Sequence, residues 1–198
     1  MAISPIDLQP LLLNVSGIAL YVTPEQFDRL SQTNRDLRLE LTKDGELIIM
    51  PPTGGESGKK SGHLFARVWN WNDKTKLGDA FDSSTGYDFT PQGGGKMSPD
   101  VSWIEKSRLE GVDIVGFIPV VPDFALELRS ATDRLSDLHG KMWEYRRLGV
   151  KLGLLINPQE RQVEIYRPTG EVEILKSPLS VDCFNVMPEF VLSMTDIW

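Results

Sequence analysis

Three residues far apart in the chain have types and settings suited to chemistry: Asp100, Glu127 and Lys141. Asp100 opens a short apolar run, Val101 to Ile104. Glu127 stands near the end of a second, Asp123 to Leu128, and Lys141 interrupts the apolar stripe of the helical pattern that follows. Carboxylates are hard oxygen ligands of the kind Mg²⁺ or Mn²⁺ prefers, with water and substrate phosphate filling the other positions. A lysine alongside adds a fixed positive charge. Hydrolysis of a phosphodiester asks for a cation on the non-bridging oxygens, an activated water in line with the leaving group, and relief of the developing charge, and this set can supply all three. If neighbouring strands bring the two acids to about 4 Å, their repulsion at an effective dielectric near 20 is roughly 4 kcal/mol, so an empty site takes up a proton or binds a cation.

Each residue also has an ordinary reading. Ser98-Pro99-Asp100 is a respectable turn that would open a strand without doing chemistry. Glu127 could pair with Arg129, two residues along on the same strand face. Lys141 lies three residues after Leu138 and four before Tyr145, where it could snorkel from the margin of the stripe Leu138, Met142, Tyr145, Leu148. The three together outweigh any one alone. Glu56, at the start of the long helical pattern, either profits from the helix dipole or serves as an outer metal or water ligand. His139 reads as a surface helix residue, and His63 as an exposed or phosphate-contacting one.

The elements that must position these residues are legible in turn. Thr23-Pro24-Glu25-Gln26 predicts a capped helix to about Asn34. Leu37 to Thr42 and Glu46 to Met50, around Lys43-Asp44-Gly45, predict a hairpin. A long helix follows, with Leu64, Phe65, Val68 and Trp69 as its core side and Lys60, His63, Arg67, Trp71 and Lys74 as a separate, largely basic stripe. Gly86 to Thr90 predicts a weak strand, and Gln92 to Lys96 a flexible connection. The triple glycine is no phosphate loop, because Met97 stands where Gly-Lys must be followed by Ser or Thr. In Asp123 to Leu128, Phe124, Leu126 and Leu128 take one face and Ala125 and Glu127 the other. Ser130 to Asp133 offers caps for a helix that reaches Leu148 and stops at Gly149. Leu152 to Ile156 suits a sheet centre. Gln162 to Tyr166 and Glu171 to Leu175 form a second hairpin, and Phe184, Phe190 and Trp198 pack the tail on the body.

The 198 residues, 40% hydrophobic and 25% charged, fit one domain spanning 1–198 with enough apolar surface for a core. With one cysteine, Cys183, and two histidines, no internal disulfide and no Cys/His zinc site is expected, and a reducing, cytoplasmic setting is. The early Leu11-Leu12-Leu13 has no basic leader, is broken up by Pro5 and Pro10, and is too short to span a bilayer, so neither secretion nor membrane insertion is expected. A formal charge of −7 argues against a sequence-blind nucleic-acid coat. Yet Lys59 to Lys76 carries five Lys/Arg against one acid, so a local basic face, or simply a solvated helix side, coexists with that charge.

Six segments carry a resemblance: Leu47 to Glu56, Ser98 to Ile104, Pro122 to Ser130, Lys141 to Val150, Leu154 to Pro158 and Val163 to Pro168. In this order, over roughly residues 25 to 190, the chain resembles the Uma-type family of bacterial restriction endonucleases, within the PD-(D/E)XK nuclease superfamily. The resemblance implies an α/β (α+β) fold, a restriction-endonuclease-like mixed sheet flanked by helices, here with an N-terminal helix and hairpin. It implies Pro99-Asp100 as the PD element, Glu127 as the second acid, and Leu128 as the donor of a backbone carbonyl to the metal. The superfamily lysine commonly stands two residues after that acid, where this chain has Arg129, and the family's placement on the next helix matches Lys141. Glu56 would match the acid of the early helix, although Ser57 stands where a histidine is frequent in the family. The implied activity is Mg²⁺- or Mn²⁺-dependent cutting of DNA, by a homodimer. Two alternatives stay open: a nuclease-fold module that binds DNA or a partner without cutting, and an enzyme acting on RNA or another anion.

Overall fold

The computed structural model describes residues 17–198, and Leu11-Leu12-Leu13, Pro5 and Pro10 lie outside them. After the short β1 (Leu20–Tyr21), Thr23 starts α1 (Pro24–Thr33) with the predicted capping box. The Thr23 hydroxyl accepts from the Gln26 amide at 3.2 Å, and the Gln26 side chain accepts from the Thr23 amide at 2.8 Å. β2 (Arg38–Leu41) and β3 (Glu46–Met50) pair antiparallel as the predicted hairpin, turning through Gly45 at φ +87°, a left-handed backbone that glycine adopts freely. The chain continues through α2 (Gly55–Thr75), β4 (Gly78–Asp82), β5 (Tyr87–Asp88), β6 (Lys96–Met97), β7 (Val101–Glu105) and the single-turn α3 (Lys106–Leu109). Then come β8 (Phe124–Leu128), α4 (Leu135–Leu148), β9 (Leu152–Asn157), β10 (Gln162–Tyr166), β11 (Glu173–Lys176), β12 (Ser180–Asp182) and β13 (Val191–Ser193).

The strands form a five-stranded sheet in the order β1-β3-β2-β6-β5, a six-stranded sheet in the order β11-β10-β9-β8-β7-β4, and the pair β12-β13. The six-stranded sheet is mixed: β8 and β9 run parallel, joined through α4, while its other neighbours pair antiparallel. Helices cover both faces of this sheet. Leu64 and Val68 of α2 pack with Phe124, Leu126 and Leu128 on one face, whereas Met142 and Tyr145 of α4 pack with Ala125 and Leu155 on the other. The predicted alternation along β8 therefore holds, and it turns Glu127 toward α4. β9 sits at the sheet's centre with every residue buried, as its apolar run predicts. Gly149, at φ +101°, stops α4 at the expected place.

Five expectations are corrected. The glycine segment is no flexible connection: β6 pairs with β2 through Leu41 and Lys96, drawing Gly95 so close that a Cβ there would collide with the Leu41 carbonyl. Lys96 is buried and ion-paired to Asp28 at 2.6 Å and Asp88 at 3.1 Å. Ser130 to Asp133 do not cap α4. Asp133 accepts from the Ser130 amide at 2.7 Å in a turn of its own, and Arg134 occupies the helix cap without a side-chain bond. Trp69 is exposed rather than in the core. Finally, the basic stripe of α2 is partly covered by the tail: Arg67 donates to the Thr195 carbonyl at 2.6 Å, Trp71 donates to the Pro188 carbonyl at 3.0 Å, and the Trp71 ring packs on Trp103 and Phe190. Phe190 is buried in this docking but Phe184 stays half exposed.

Candidate active site

Antiparallel pairing of β7 with β8 sets Val101 opposite Leu126, which puts Asp100 at the mouth of β7 beside Glu127 and Leu128. Asp100 is fixed there by the Leu128 amide, which donates to Oδ2 at 2.8 Å. Glu127 is 3% exposed, since its strand is buried on both faces. One helical turn apart on α4, Lys141 and Tyr145 both reach it: the Lys141 ammonium at 3.0 Å and the Tyr145 hydroxyl at 2.9 Å, each on Oε1. Asp100, Glu127 and Lys141 thus line one cleft, of about 1510 Å³.

Glu40 completes the cluster, and nothing in the sequence singled it out. It lies on β2, in the other sheet, 5% exposed, and its Oε1 accepts from Lys141 at 2.9 Å and from the Ser98 amide at 2.8 Å. Lys141 also donates to the Ser98 carbonyl at 3.0 Å. In the sequence Glu40 sits between Leu39 and Leu41 and reads as the solvent face of a hairpin. Its neighbours Arg38 and Thr42 reinforce that reading, so no local signal marks its burial.

Three carboxylates around one ammonium leave an excess of negative charge, and the titration behaviour reflects it. Burial, reinforced by the Asp100 and Glu40 carboxylates against the pull of Lys141, pushes the Glu127 carboxyl up to about 8. Burial likewise raises Asp100, opposed by the Leu128 amide and by Lys141 and Arg38. For Lys141, burial works to lower the pKa, but the Glu127, Glu40 and Asp100 carboxylates outweigh it and hold the ammonium above its ordinary range. The Tyr145 hydroxyl is raised by burial and by Glu127, so it stays protonated and donates.

Of the other residues, Glu56, Arg129 and His139 lie apart. Glu56 is on the first turn of α2, its side chain 82% exposed and paired with Lys60 at 2.8 Å, and it shares no hydrogen bond with the cluster. Leu128 meets Asp100 through its amide. Arg129 does not pair with Glu127. It turns to Asn157 and, at 3.8 Å, to Glu160. His139 bonds Glu164 at 2.9 Å, away from the cluster.

The donor set fits a hard divalent ion. Asp100 Oδ2 and Glu127 Oε1 are engaged, while Asp100 Oδ1 and Glu127 Oε2 have no hydrogen-bond partner among the described residues. No three Asp, Glu, His or Cys among those residues stand together as a ready ligand cage. An ion here would thus rest on two carboxylates with water and phosphate completing its shell, the mode Mg²⁺ favours.

The fold is shared with the crystal structure of a putative nuclease belonging to DUF820 from Anabaena variabilis ATCC 29413, at a TM-score of 0.74 and 23% identity, covering 89% of this chain and 97% of that one. No curated protein matches the chain. The family model Uma2, described as "Putative restriction endonuclease", matches residues 24–195, nearly the span of roughly 25 to 190 over which the sequence resembles the family. The chain belongs to the Uma2 family of restriction-endonuclease-like proteins.

Proposed function

We propose that this protein is a metal-dependent endonuclease that hydrolyses DNA phosphodiester bonds. The observation that carries the reading is the convergence of Asp100, Glu127 and Lys141 in one cleft, with a free oxygen on each acid and the ammonium bonded to the second acid. Asp100 Oδ1 and Glu127 Oε2 would hold Mg²⁺ or Mn²⁺, joined by the Leu128 carbonyl. A divalent ion so held supplies Lewis-acid pull on a phosphate oxygen and a more acidic water. Tyr145 occupies Glu127 Oε1 and so leaves Oε2 for the metal. Lys141 orients the attacking water or takes up charge developing on the phosphate, work that a fixed ammonium performs without reorganisation. The cleft lining carries nine acids against five basic side chains, Arg38, Lys43, Arg134, Lys141 and Arg147, so attraction for a phosphate backbone would come from the bound cation rather than from the lining as a whole.

The test combines cleavage with metal binding. Asp100→Ala, Glu127→Ala and Lys141→Ala should each lose at least about 100-fold in DNA cleavage while remaining folded. Titration calorimetry should show Mn²⁺ binding weakened by the two acid substitutions. Unchanged cleavage in all three variants rejects the proposal. Cleavage of RNA in preference to DNA moves the substrate but keeps the site.

A further inference from the structure

We infer that Glu40 is a positioning residue of this same reaction, a role that rests on the endonuclease reading: it anchors the Lys141 ammonium and the turn that presents Asp100. Glu40 Oε1, the Ser98 main chain and the Lys141 ammonium form a closed ring. The Ser98 amide and the ammonium both donate to Glu40, and the ammonium also donates to the Ser98 carbonyl. Ser98 lies two residues before Asp100, so the ring ties the lysine to the segment that carries the first acid.

The anchor itself is firm. Leu39 and Leu41, on either side of Glu40, are buried with Phe27 of α1, and β2 is hydrogen-bonded to β3 and β6 on its two edges. A lysine on a four-carbon stem needs such an anchor, because its ammonium is a mobile point charge with three donors and no preset direction. With Glu40 and Ser98 taking two hydrogen bonds, the ammonium is held 3.0 Å from Glu127 Oε1 as an ion pair. Deprived of Glu40, the ammonium is free to move onto the acid oxygens the metal needs. Glu40 is better read as a strut than as a third ligand, because no cage of three acids exists among the described residues and its Oε1 already takes two donors.

Glu40→Gln keeps an acceptor for the Ser98 amide and nearly the same shape but removes the charge facing Lys141. Its kcat for a DNA duplex with Mg²⁺ should fall about 10- to 100-fold, as for other residues that orient metal-site groups, with KM and calorimetric Mn²⁺ affinity within about 2-fold. In a Lys141→Met background the residual cleavage should change less than about 2-fold on adding Glu40→Gln, since the residue acts through the lysine. Equal losses in both backgrounds, or a kcat at the wild-type level, overturn the role. Loss of Mn²⁺ binding in Glu40→Gln also overturns it, by making Glu40 a ligand. Should Glu40→Gln not fold, Glu40→Asp carries the same cycle, the charge kept but one methylene short. Wild-type protein that cuts no DNA overturns the endonuclease reading and this role with it, whereas active wild type beside an unaffected Glu40 variant overturns this role alone.

Discussion

Metal-free protein should lose stability as pH rises from 5 to 8, and Glu127 should be the reason. Its carboxyl titrates near 4.5 in an unfolded chain and is pushed up to about 8 in the folded one, chiefly by burial. Between those values the folded state holds a proton that the unfolded state has released, so unfolding loses a proton and stability falls with rising pH. Below about 4.5 both states are protonated and the effect vanishes. Above about 8 both are ionised and the loss is complete. A gap of about 3.5 pH units at about 1.4 kcal/mol each sets a ceiling near 5 kcal/mol. Water entering the cleft and relaxation of the Lys141 pair lower it, which leaves about 2–4 kcal/mol between pH 5 and 8. Asp100, also raised by burial, adds in the same direction. Urea unfolding in a chelating buffer at each pH reads this directly, with Glu127→Gln as the reference because it cannot ionise. The difference between wild type and Glu127→Gln should widen by that amount across the range, and millimolar Mn²⁺ should restore wild type at pH 8 by replacing the proton. Parallel stability curves for the two proteins would refute the reasoning, since they would mean that the buried acid is already neutralised by Lys141 at every pH.

Tyr145→Phe removes one of the two donors on Glu127 Oε1 without changing the packing of the ring, so it should cost about 1–2 kcal/mol in urea unfolding at pH 8 and leave the far-UV spectrum intact. Gly95→Ala would force a Cβ into the Leu41 carbonyl and to 2.7 Å from the Thr42 carbonyl carbon, backbone that cannot swing aside, and should destabilise by about 2–3 kcal/mol or more. A thermal midpoint equal to wild type would show that β2 and β6 yield easily. Trp71→Ala strips the packing on Trp103 and Phe190 and the bond to the Pro188 carbonyl, at about 2–4 kcal/mol, and should expose the segment after Cys183 to limited proteolysis before the sheet unfolds.

What could be read from the sequence was whatever local chemistry decides. The Thr23–Gln26 box, the Asp44-Gly45 turn and the Gly149 stop each need only a few neighbouring residues, and each stands as read. The alternation of β8 also gave the correct face for Glu127, because period-two geometry follows from the chain itself. Tertiary docking governed the rest. Glu40 is buried only because the hairpin sheet folds against α4 and the Ser98 turn, and an acid between two leucines carries no mark of that encounter. The same holds for the α2 stripe, whose Arg67 and Trp71 look available to a ligand until the tail, more than a hundred residues later, lies across them. The triple glycine misled for a related reason: glycine serves flexibility and close approach equally, and only the proximity of Leu41 shows that close approach is its task here.

The cluster draws on three separately stabilised pieces, Glu40 from the hairpin sheet, Asp100 and Glu127 from the six-stranded sheet, and Lys141 with Tyr145 from α4. None of them can hold its charge alone in a buried setting, because an unpaired carboxylate or ammonium away from water costs several kcal/mol. The lysine contacts both sheets' acids at once, so its ion pairs exist only when hairpin, sheet and helix are docked. The negative excess that remains after this docking is what a divalent ion would neutralise. If the site takes such an ion, it is least stable when assembled without it, and the pH dependence of Glu127 measures that cost.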